Sequence, residues 1–546
     1  MRVAEAVGRA LVAAGVGQVF GVVGSGNFHV TNAMVAAGAR FVAARHEGGA
    51  ATMADAYART SGAPTVLSLH QGPGLTNALT GITEAAKSRT PLLVLAAEAT
   101  APHSNFRVGQ TELARAVGAV AARVTSADAA VDQALAALGR AVAERRTVLL
   151  NLPLAVQEEQ APGGVPADIA TPRGPNPVEP DPRRAGELAD LLDAAGRPVF
   201  VAGRGARTPG ARDALLELAD RHGALLATSA VARGLFRGSA WSLDVSGGFA
   251  SPLAADLITG ADLVVGWGCS LTGWTTRHGA LIGPGARVAQ VDDDPTAFGR
   301  HRPVDLAVTG DVERTARRAG RAPGARRTGY RTPAVAAALA ARGRWRDVPY
   351  DDEGTPERID PRTLSRALDD ILPAERVIGV DSGNFMGWPS AWLSVPDENG
   401  FCFTQAFQSI GLGLATAIGA ALARPDRLPV AVLGDGGALM GAAELDTVRR
   451  LGLPMVVVVH NDDGYGAEVH HFGPDGCALD TVTFPETDLA AVARGYGFEA
   501  VTVRTPGDLA AVEAWVAGER TAPLLVDAKV TREHGAWWLE EAFRGH

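Results

Sequence analysis

The chain has 546 residues, of which 47% are hydrophobic and 20% are charged, and its formal net charge is −9. This composition is typical of a globular protein with several domains, and no apolar run is long enough to span a bilayer. The first ten residues fit an amphipathic helix and not a signal peptide, so we expect a cytoplasmic protein. The acidic balance and the lack of a basic patch argue against a nucleic-acid partner.

The first part of the chain alternates short apolar runs with helical patterns. Strands are predicted at 19–23, 41–44, 65–69, 91–96 and 147–152, with helices at 49–60 and 76–88 among them. This alternation predicts a doubly wound α/β domain, which we place at residues 1–160. The stretch 158–182, rich in Pro, Gly and Ala, is predicted to be a linker.

The same alternation returns twice. A middle unit at 183–318 has predicted strands at 198–202, 263–266 and 288–291, and a last unit at 358–546 has them at 377–380, 430–433, 455–459 and 524–528. A second linker at 317–356 is predicted to carry one helix, at 334–341. The fold prediction is therefore α/β, with three doubly wound parallel-sheet domains and a Rossmann-like unit in the middle.

Two motifs in the last unit carry the most information. Gly-Asp-Gly at 434–436 ends one predicted strand, and Asn-Asp-Asp-Gly-Tyr-Gly at 461–466 ends the next. The spacing from Asp435 to Asp462 allows a helix and a return strand in one parallel crossover, so both acids should reach the same sheet edge. Carboxylates and permissive glycine backbones at such an edge favour a divalent cation bound together with a diphosphate. A simple turn is the alternative reading of Gly-Asp-Gly.

These motifs, together with Arg-His-Glu-Gly-Gly-Ala at 45–50, resemble the thiamine diphosphate enzymes of the acetolactate synthase and pyruvate decarboxylase superfamily. The resemblance covers nearly the whole chain. It implies that Mg²⁺ is held by Asp435, Asp462 and the carbonyl of Gly464. In that superfamily the second motif usually reads Asn-Asn, whereas here it reads Asn-Asp. We keep the assignment despite this difference, because a carboxylate is at least as good a ligand for Mg²⁺ as an amide oxygen.

The resemblance also assigns two residues that act on the cofactor rings. Glu47 would hydrogen-bond the aminopyrimidine and so promote removal of the thiazolium C2 proton, for which a desolvated carboxyl is best suited. The alternative is an exposed glutamate at a helix N-terminus. In the stretch from Gln408 to 413, Ile410 takes the place of the apolar wedge that folds the cofactor into a V, although a core isoleucine is the competing interpretation.

Backbone N–H groups should supply most contacts to the diphosphate, because its oxygens need several donors at close approach. Loops after three predicted strands of the last unit can supply them. The cofactor-binding residues predicted there are Gly383, Asn384, Phe385, Gln408, Gly434, Gly436, Gly437, Ala438, Tyr465 and Gly466.

The substrate side combines features of two subfamilies. Ser25 lies where the resembled enzymes place residues over the thiazolium, and Gln110 matches a glutamine that carboligating members hold near the acceptor. His70, before Gly-Pro-Gly, and Glu468 match proton-transfer residues of the decarboxylases. All four, with Glu47, are our candidate catalytic residues.

The leading hypothesis is a 2-keto acid decarboxylation that is dependent on thiamine diphosphate and Mg²⁺, followed by carboligation of the enamine to a second carbonyl compound, as in acetolactate synthase. A simple decarboxylase that releases an aldehyde is the runner-up. An oxidoreductase that uses flavin or nicotinamide in the middle unit, and a non-catalytic homologue, are hypotheses of other classes. FAD is possible but not favoured, and the resemblance implies a homodimer or homotetramer with active sites between subunits.

Overall fold

A computed structural model of the chain describes residues 1–321 and 325–544. It contains three sheets of six strands each, and the strand pairings in all three sheets are parallel. Helices alternate with the strands along the chain. The predicted fold class, three doubly wound α/β units, is therefore confirmed. Within the described residues, no helix combines the length and apolar character needed to cross a membrane.

The first sheet has the strand order β2-β1-β3-β4-β6-β5. Helix α3 starts at Glu47 because the side chain of His46 accepts the N–H of Gly48, and it ends at Gly62, which adopts a left-handed φ of 70°. The elements of this unit are α1 (Val3–Ala13), β1 (Gln18–Gly21), α2 (Phe28–Ala36), β2 (Arg40–Ala43), α3 (Glu47–Ser61), β3 (Thr65–Leu69), α4 (Pro73–Lys87), β4 (Leu92–Glu98), α5 (Gln110–Ala116), β5 (Val120–Arg123), α6 (Ala130–Ala143), β6 (Thr147–Pro153) and α7 (Leu154–Glu158).

The middle sheet has the order β12-β11-β10-β7-β8-β9, so the direction of strand succession changes between β7 and β10. The elements are α8 (Pro182–Ala194), β7 (Pro198–Ala202), α9 (Ala211–His222), β8 (Leu225–Thr228), β9 (Ser242–Val245), α10 (Pro252–Thr259), β10 (Leu263–Trp267), α11 (Gly273–Thr276), β11 (Arg287–Asp292), β12 (Leu306–Thr309) and α12 (Val312–Ala319). Helix α13 (Pro333–Arg342) lies in the predicted second linker, where the sequence placed one helix.

The third sheet has the order β14-β13-β15-β16-β18-β17. The elements are α14 (Pro361–Ile371), β13 (Arg376–Val380), α15 (Gly387–Trp392), β14 (Phe401–Phe403), α16 (Gly413–Ala423), β15 (Leu428–Gly434), α17 (Asp435–Met440), α18 (Glu444–Leu451), β16 (Val456–Asn461), α19 (Gly466–Phe472), α20 (Leu489–Gly495), β17 (Glu499–Val503), α21 (Ala510–Ala517), β18 (Leu524–Lys529) and α22 (Trp538–Phe543).

Every strand predicted from the sequence overlaps an observed strand, but six observed strands were missed. These are β5, β8, β9, β12, β14 and β17. All but β8 lie at a sheet edge, and β5, β9, β12 and β17 are only partly buried, which weakens their apolar signal. The domain limits 1–160, 183–318 and 358–546 stay predictions, and each sheet falls within one of them.

The first and third units share one hydrophobic core. Helix α3 packs along α16, and the peptide carbonyl of Met53 approaches Gly419 so closely that a Cβ there would be 2.3 Å from it. A buried carboxylate joins the same surfaces just before the start of α3, since Glu444 accepts the backbone N–H groups of Arg45 and His46. The start of α3, and with it Glu47, is therefore held in place by the third unit of its own chain.

Candidate active site

Three neighbouring strands bring the predicted diphosphate loops together. Strand β15 is paired in parallel with β13 and with β16, so that Val432 lies opposite Val380 and Gly434 opposite His460. Because the three strands run in one direction, the loops that follow them all begin at the same edge of the sheet. Asp435, Asp462 and the loop after Val380 thus meet at one place.

Asp435 and Asp462 form a pair of like charges at this edge. Asp435 accepts the N–H of Gly436 through Oδ1 (2.9 Å) and the N–H of Gly464 through Oδ2 (3.1 Å). Burial raises the pKa of Asp462, and the negative charge of Asp435 raises it further; burial also raises the pKa of Asp435. Two acids whose charges repel one another in this way are suited to share a cation, which would remove the repulsion.

The residues that flank Asp462 have partners of their own, whereas Asp462 contacts Asn384 and senses the charge of Asp435. Asn461 donates to the buried carboxylate of Asp527 at 2.9 Å. Asp463 is paired with Arg358 and lies 3.4 Å from Arg532. The carbonyl of Gly464 accepts no hydrogen bond from the described part of the chain, so its oxygen is free to face a ligand.

The donor set at this edge fits Mg²⁺. It consists of two carboxylates and one peptide carbonyl, all hard oxygen donors, and leaves positions for phosphate oxygens and water. Over residues 1–321 and 325–544, no cluster of three or more His, Cys, Asp or Glu side chains is arranged to bind a metal. Asn384 donates to Asp462 at 3.4 Å while its own Oδ1 is buried without a partner, leaving an acceptor that a bound group can satisfy.

Glycines line the loops because neighbouring side chains occupy the space that a Cβ would need. A Cβ on Gly466 would lie 2.3 Å from the Asp462 carboxylate, and one on Gly436 would lie 3.0 Å from the Tyr465 ring. Gly383 has a φ of 135°, which a residue with a side chain rarely adopts, and it directs the chain into the short helical turn Asn384–Met386. The ring of Phe385 packs over Gly434. A larger residue at any of these positions would therefore displace a neighbouring side chain or strain the backbone.

A buried acid that the sequence did not single out shapes the loop that contains Ile410. Asp381, directly after β13, accepts the N–H groups of Gly411 (3.0 Å) and Leu412 (3.2 Å). Burial raises its pKa to about 6. Ile410 itself is 38% exposed, and its Cγ2 would be 3.3 Å from a Cβ on Gly437. An isoleucine that stands out from the surface beside the diphosphate loop fits the wedge better than it fits the core.

Gln408 lies in this loop, and Ala438 follows Gly437, the residue beside Ile410. Gln408 is exposed and adopts a left-handed φ of 62°, a strained conformation for a residue with a side chain. Ala438 packs against the core shared by the first and third units. The structure therefore places both at the same sheet edge as Ile410, and their contacts with a cofactor stay predictions.

Glu47 is the first residue of α3 and is half-buried in the single chain. Its Oε2 accepts the side-chain amide of Asn77 at 3.0 Å, and its Oε1 is 3.6 Å from where a Cβ on Gly74 would lie. Asn77 is its hydrogen-bond partner within the described residues, and no hydrogen bond joins Glu47 to the third unit of the same chain. The structure thus leaves one carboxylate oxygen of Glu47 without a hydrogen bond.

His70 and the loop of Ser25 lie together above the first sheet. The N–H of Gly26 donates to Nδ1 of His70 at 3.3 Å, which leaves the ring proton on Nε2. Phe106 packs edge-on against the imidazole with the ring centres 5.4 Å apart. Burial lowers the pKa of His70, and the negative charge of Glu47 partly opposes this. Ser25 is exposed beside it. His70 is thus placed to donate a hydrogen bond through Nε2.

The other two candidate catalytic residues differ in their surroundings. Gln110 is 2% exposed, donates to Asn151 at 2.8 Å and accepts the N–H of Gly72, so it supports the Gly72 loop from inside the domain. Glu468 lies in the short helix α19, partly exposed. A catalytic role of either residue stays a prediction.

The C-terminal tryptophans pack into the protein. Nε1 of Trp538 donates to the carbonyl of Asn384 at 2.8 Å, and Nε1 of Trp537 donates to the carbonyl of Gly248 at 3.0 Å. Trp538 is fully buried, and Trp537 stacks on Trp345. The tail therefore fixes the loop of Asn384 and ties it to the middle unit.

Sequence reasoning missed Asn77, Asp381 and Glu444. Asp381 directly follows a correctly predicted strand, so its position at the strand end was a usable signal. The hydrogen bonds of Asn77 with Glu47 and of Glu444 with Arg45 depend on tertiary packing, and the sequence pattern carries no sign of them.

Each of the three units is matched by a model of a known protein family. Family models of the thiamine pyrophosphate enzymes match the chain with an N-terminal TPP binding domain at residues 1–116, a central domain at 185–319 and a C-terminal TPP binding domain at 381–528. The chain belongs to the thiamine pyrophosphate enzyme family.

The relatives in this family are named for different reactions. A provisionally named acetolactate synthase large subunit, IlvB2, of Mycobacterium tuberculosis is 31% identical over 525 residues, covering 91% of this chain and 92% of the relative. A provisionally named 2-ketoarginine decarboxylase, AruI, of Pseudomonas aeruginosa is 31% identical, with 93% and 90% covered. A sulfoacetaldehyde acetyltransferase of Alcaligenes xylosoxydans is 28% identical, with 86% and 82% covered. Similarity thus fixes the enzyme family and leaves the reaction open.

Proposed function

We propose that the protein decarboxylates a 2-keto acid with thiamine diphosphate and Mg²⁺ and transfers the remaining acyl unit to a second carbonyl compound, as acetolactate synthases do. The observation that carries the proposal is the pair Asp435 and Asp462, which follow two paired parallel strands at one edge of the third sheet, where Asp435 accepts the N–H groups of Gly436 and Gly464. The cofactor, when bound, supplies the electron sink for loss of CO₂. The protein supplies binding, orientation and proton transfer.

Residues of the first and third units would bind the cofactor and its metal. Asp435, Asp462 and the Gly464 carbonyl would hold the metal, with the loops of Gly383 and Gly436 around the diphosphate. Ile410 would press on the cofactor between its rings, since it projects from the loop fixed by Asp381. The unpaired carboxylate oxygen of Glu47 would accept a hydrogen bond from the aminopyrimidine or share a proton with it.

Glu47 and the metal site would come from different subunits. Within one chain the only hydrogen bond of Glu47 in the described part goes to Asn77. Large apolar side chains are exposed on both halves of the proposed site, including Phe106 at 43%, Phe407 at 45% and Met440 at 60%. We therefore propose a homodimer or homotetramer in the cytoplasm. Measurement of the mass in solution tests this assembly, and a monomer that retains full activity would contradict it.

A simple decarboxylase is the second candidate, and the histidine at position 70, which the resemblance connects with the decarboxylases, favours it. Protonation of the product carbon by an imidazolium would release an aldehyde. Gln110 was the residue expected to favour carboligation, yet it is buried behind the Gly72 loop. The relatives include both kinds of enzyme.

Product analysis separates the two reactions. The full-length protein is incubated with thiamine diphosphate, Mg²⁺ and a panel of 2-keto acids, and CO₂ and products are read by mass. With pyruvate alone, acetolactate supports carboligation and free acetaldehyde supports the decarboxylase. Removal of Mg²⁺ with EDTA should abolish turnover, and re-addition should restore it; activity that persists without any divalent cation would contradict the proposed site.

A further inference from the structure

The loop that carries the proposed metal ligands contains a third acid, Asp463, directly between Asp462 and Gly464. Its side chain is 4% exposed, and it lies close enough to Asp435 and Asp462 for its negative charge to act on both. Carboxylate oxygens are strong ligands for a divalent cation, so a free Asp463 would compete with its neighbours for the metal. The position of its carboxylate therefore matters to the metal site.

Two arginines hold the carboxylate of Asp463. Arg358, itself largely buried, is paired with its Oδ2, and Nη1 of the half-exposed Arg532 lies 3.4 Å from the same oxygen. The other oxygen, Oδ1, is buried and has no hydrogen-bond partner in the described part of the chain. The arginines thus fix this side chain through one of its two oxygens.

The same arginines also contact the backbone of the loop. Nη1 of Arg358 donates to the carbonyl of Val530 at 2.9 Å and to that of Asn461 at 3.4 Å. Nη1 of Arg532 donates to the carbonyl of Asp462 at 3.4 Å. A planar guanidinium can serve several acceptors in fixed directions, which an ammonium group does less well. Each arginine therefore binds the third acid and a peptide group just before it.

The backbone of the third sheet places both arginines beside the end of β16. Ile359 forms a parallel bridge with Val530, whose N–H donates to the carbonyl of Asn461 at 3.1 Å. Arg358 precedes this bridge in one segment, and Arg532 follows it in the other. Their positions are therefore set by backbone pairing and not by their side chains alone.

The chain turns at Asp463, which adopts a left-handed φ of 56°. Residues with a Cβ adopt this conformation at a cost, although Asp and Asn tolerate it better than most. Directly after the turn, the N–H of Gly464 donates to Asp435 at 3.1 Å, and the carbonyl of Asp463 accepts the N–H of Phe484 at 2.9 Å. Loss of the turn would move the proposed ligands on both sides of it.

We propose that Arg358 and Arg532 are positioning residues of the metal site. They draw the carboxylate of Asp463 away from the cation and hold the turn that presents Asp462 and the Gly464 carbonyl to it. This inference rests on the proposed function, because it requires that Mg²⁺ and thiamine diphosphate bind at this loop. The charge of an arginine by itself opposes the binding of a cation, so the benefit of these two residues comes from geometry.

The test measures how much Mg²⁺ each full-length variant needs in order to bind thiamine diphosphate. Bound cofactor is measured by equilibrium dialysis at a thiamine diphosphate concentration that saturates the wild type, with Mg²⁺ titrated at constant ionic strength. Arg358→Met should raise the half-saturating Mg²⁺ concentration at least tenfold, and Arg532→Met at least threefold. Loss of a positive charge alone would favour the cation and lower this concentration. The control Arg362→Met removes an arginine paired with Asp360 and should change it less than twofold.

Substitutions of Asp463 show whether the arginines act through it. Asp463→Gly removes the carboxylate and adopts the left-handed turn without the cost of a Cβ, so the half-saturating Mg²⁺ concentration should stay within threefold of the wild type. In the Asp463→Gly background, Arg358→Met and Arg532→Met should each add less than twofold. Asp463→Ala retains the Cβ and should need at least threefold more Mg²⁺ than Asp463→Gly.

Thermal unfolding of every variant keeps effects on folding separate from effects on the metal. If Arg358→Met does not fold, Arg532→Met and Arg358→Lys, which keeps the charge and loses the planar fork, carry the test, each with at least a threefold increase expected. An unchanged or lower Mg²⁺ requirement in the arginine variants, or an equal increase with and without the Asp463 carboxylate, would overturn this inference and leave the proposed function standing. Wild-type protein that binds no thiamine diphosphate at any Mg²⁺ concentration would overturn both.

Discussion

Replacing Arg59 by methionine should destabilise the protein by removing the one cation shared by two buried acids. The Arg59 side chain is 10% exposed, and those of Asp55 and Glu84 are fully buried. Burial raises the pKa of Asp55, and Arg59 opposes this. For Glu84, burial also favours the neutral form, but Arg59 and the N–H groups of the 406–407 segment hold its pKa below the ordinary value. Methionine keeps the unbranched apolar part of the side chain and removes its charge.

The size of the effect follows from the burial of the network. Breaking a buried ion pair by removing one partner costs about 3–5 kcal/mol, because the remaining charge has no counter-ion. At roughly 2–4 °C per kcal/mol for a unit of this size, the Tm should fall by roughly 6–20 °C. The matched control is Arg123→Met, which removes a half-exposed arginine 2.7 Å from Glu98. A pair of that kind contributes about 1 kcal/mol or less.

The dependence on pH separates charge from packing. Without Arg59, the folded-state pKa of both acids rises above their unfolded values of about 3.9 and 4.3. In the pH window between the unfolded and the folded pKa, the folded state then binds more protons than the unfolded state. Stability relative to wild type must therefore fall as pH rises through the window, and the deficit should be larger at pH 8 than at pH 5. Differential scanning calorimetry at one scan rate measures it. A deficit that is equal at both pH values, or no larger than that of Arg123→Met, would refute the reasoning.

Two further substitutions test the loops around the cofactor. Gly26→Ala would place a Cβ 1.7 Å from Oε1 of Gln71, so the loop must move at a cost of about 1–3 kcal/mol, and we expect kcat/KM to fall at least tenfold as the hydrogen bond to His70 is lost. Trp538→Phe removes the hydrogen bond to the Asn384 carbonyl, about 1 kcal/mol, and should weaken Mg²⁺-dependent thiamine diphosphate binding about fivefold in fluorescence titration.

Each of these variants has a matched control in the chain. Gly17→Ala adds a Cβ with no neighbour within 4 Å and should leave kcat/KM unchanged. Trp515→Phe removes a comparable indole hydrogen bond, to the carbonyl of Ala522 at 3.0 Å, and should leave cofactor affinity unchanged. Equal effects of test and control variants would show that the loop contacts have no specific role.

The sequence was sufficient where a local pattern determines the structure. The apolar run of β15 ends in Gly-Asp-Gly, and parallel pairing then places Asp435 and Asp462 at one edge without further information. The fold class followed from the repeated alternation of strands and helices. Strand β14 was missed because it has only three residues, and β5 because it reads Val-Ala-Ala-Arg and is only partly buried.

Other features of the site depend on residues that are distant in the chain. Glu444 fixes the backbone of Arg45 and His46 from the third unit, and Arg204 reaches the end of α4 from the middle unit. Such contacts join side chains and peptide groups on separate units, so no periodicity or spacing reports them. Gln110 was placed near the substrate by resemblance, whereas its burial is a tertiary property.

The activity of Glu47→Gln tests the central claim most directly, because it removes the proposed proton-sharing carboxyl and leaves the metal site intact. CO₂ release is measured on the most active 2-keto acid of the panel, with thiamine diphosphate binding measured on the same samples. We predict that cofactor binding is retained within a few-fold while kcat falls by about 10²–10⁴, the range expected for loss of a proton-transfer group. Full activity in Glu47→Gln would contradict the account.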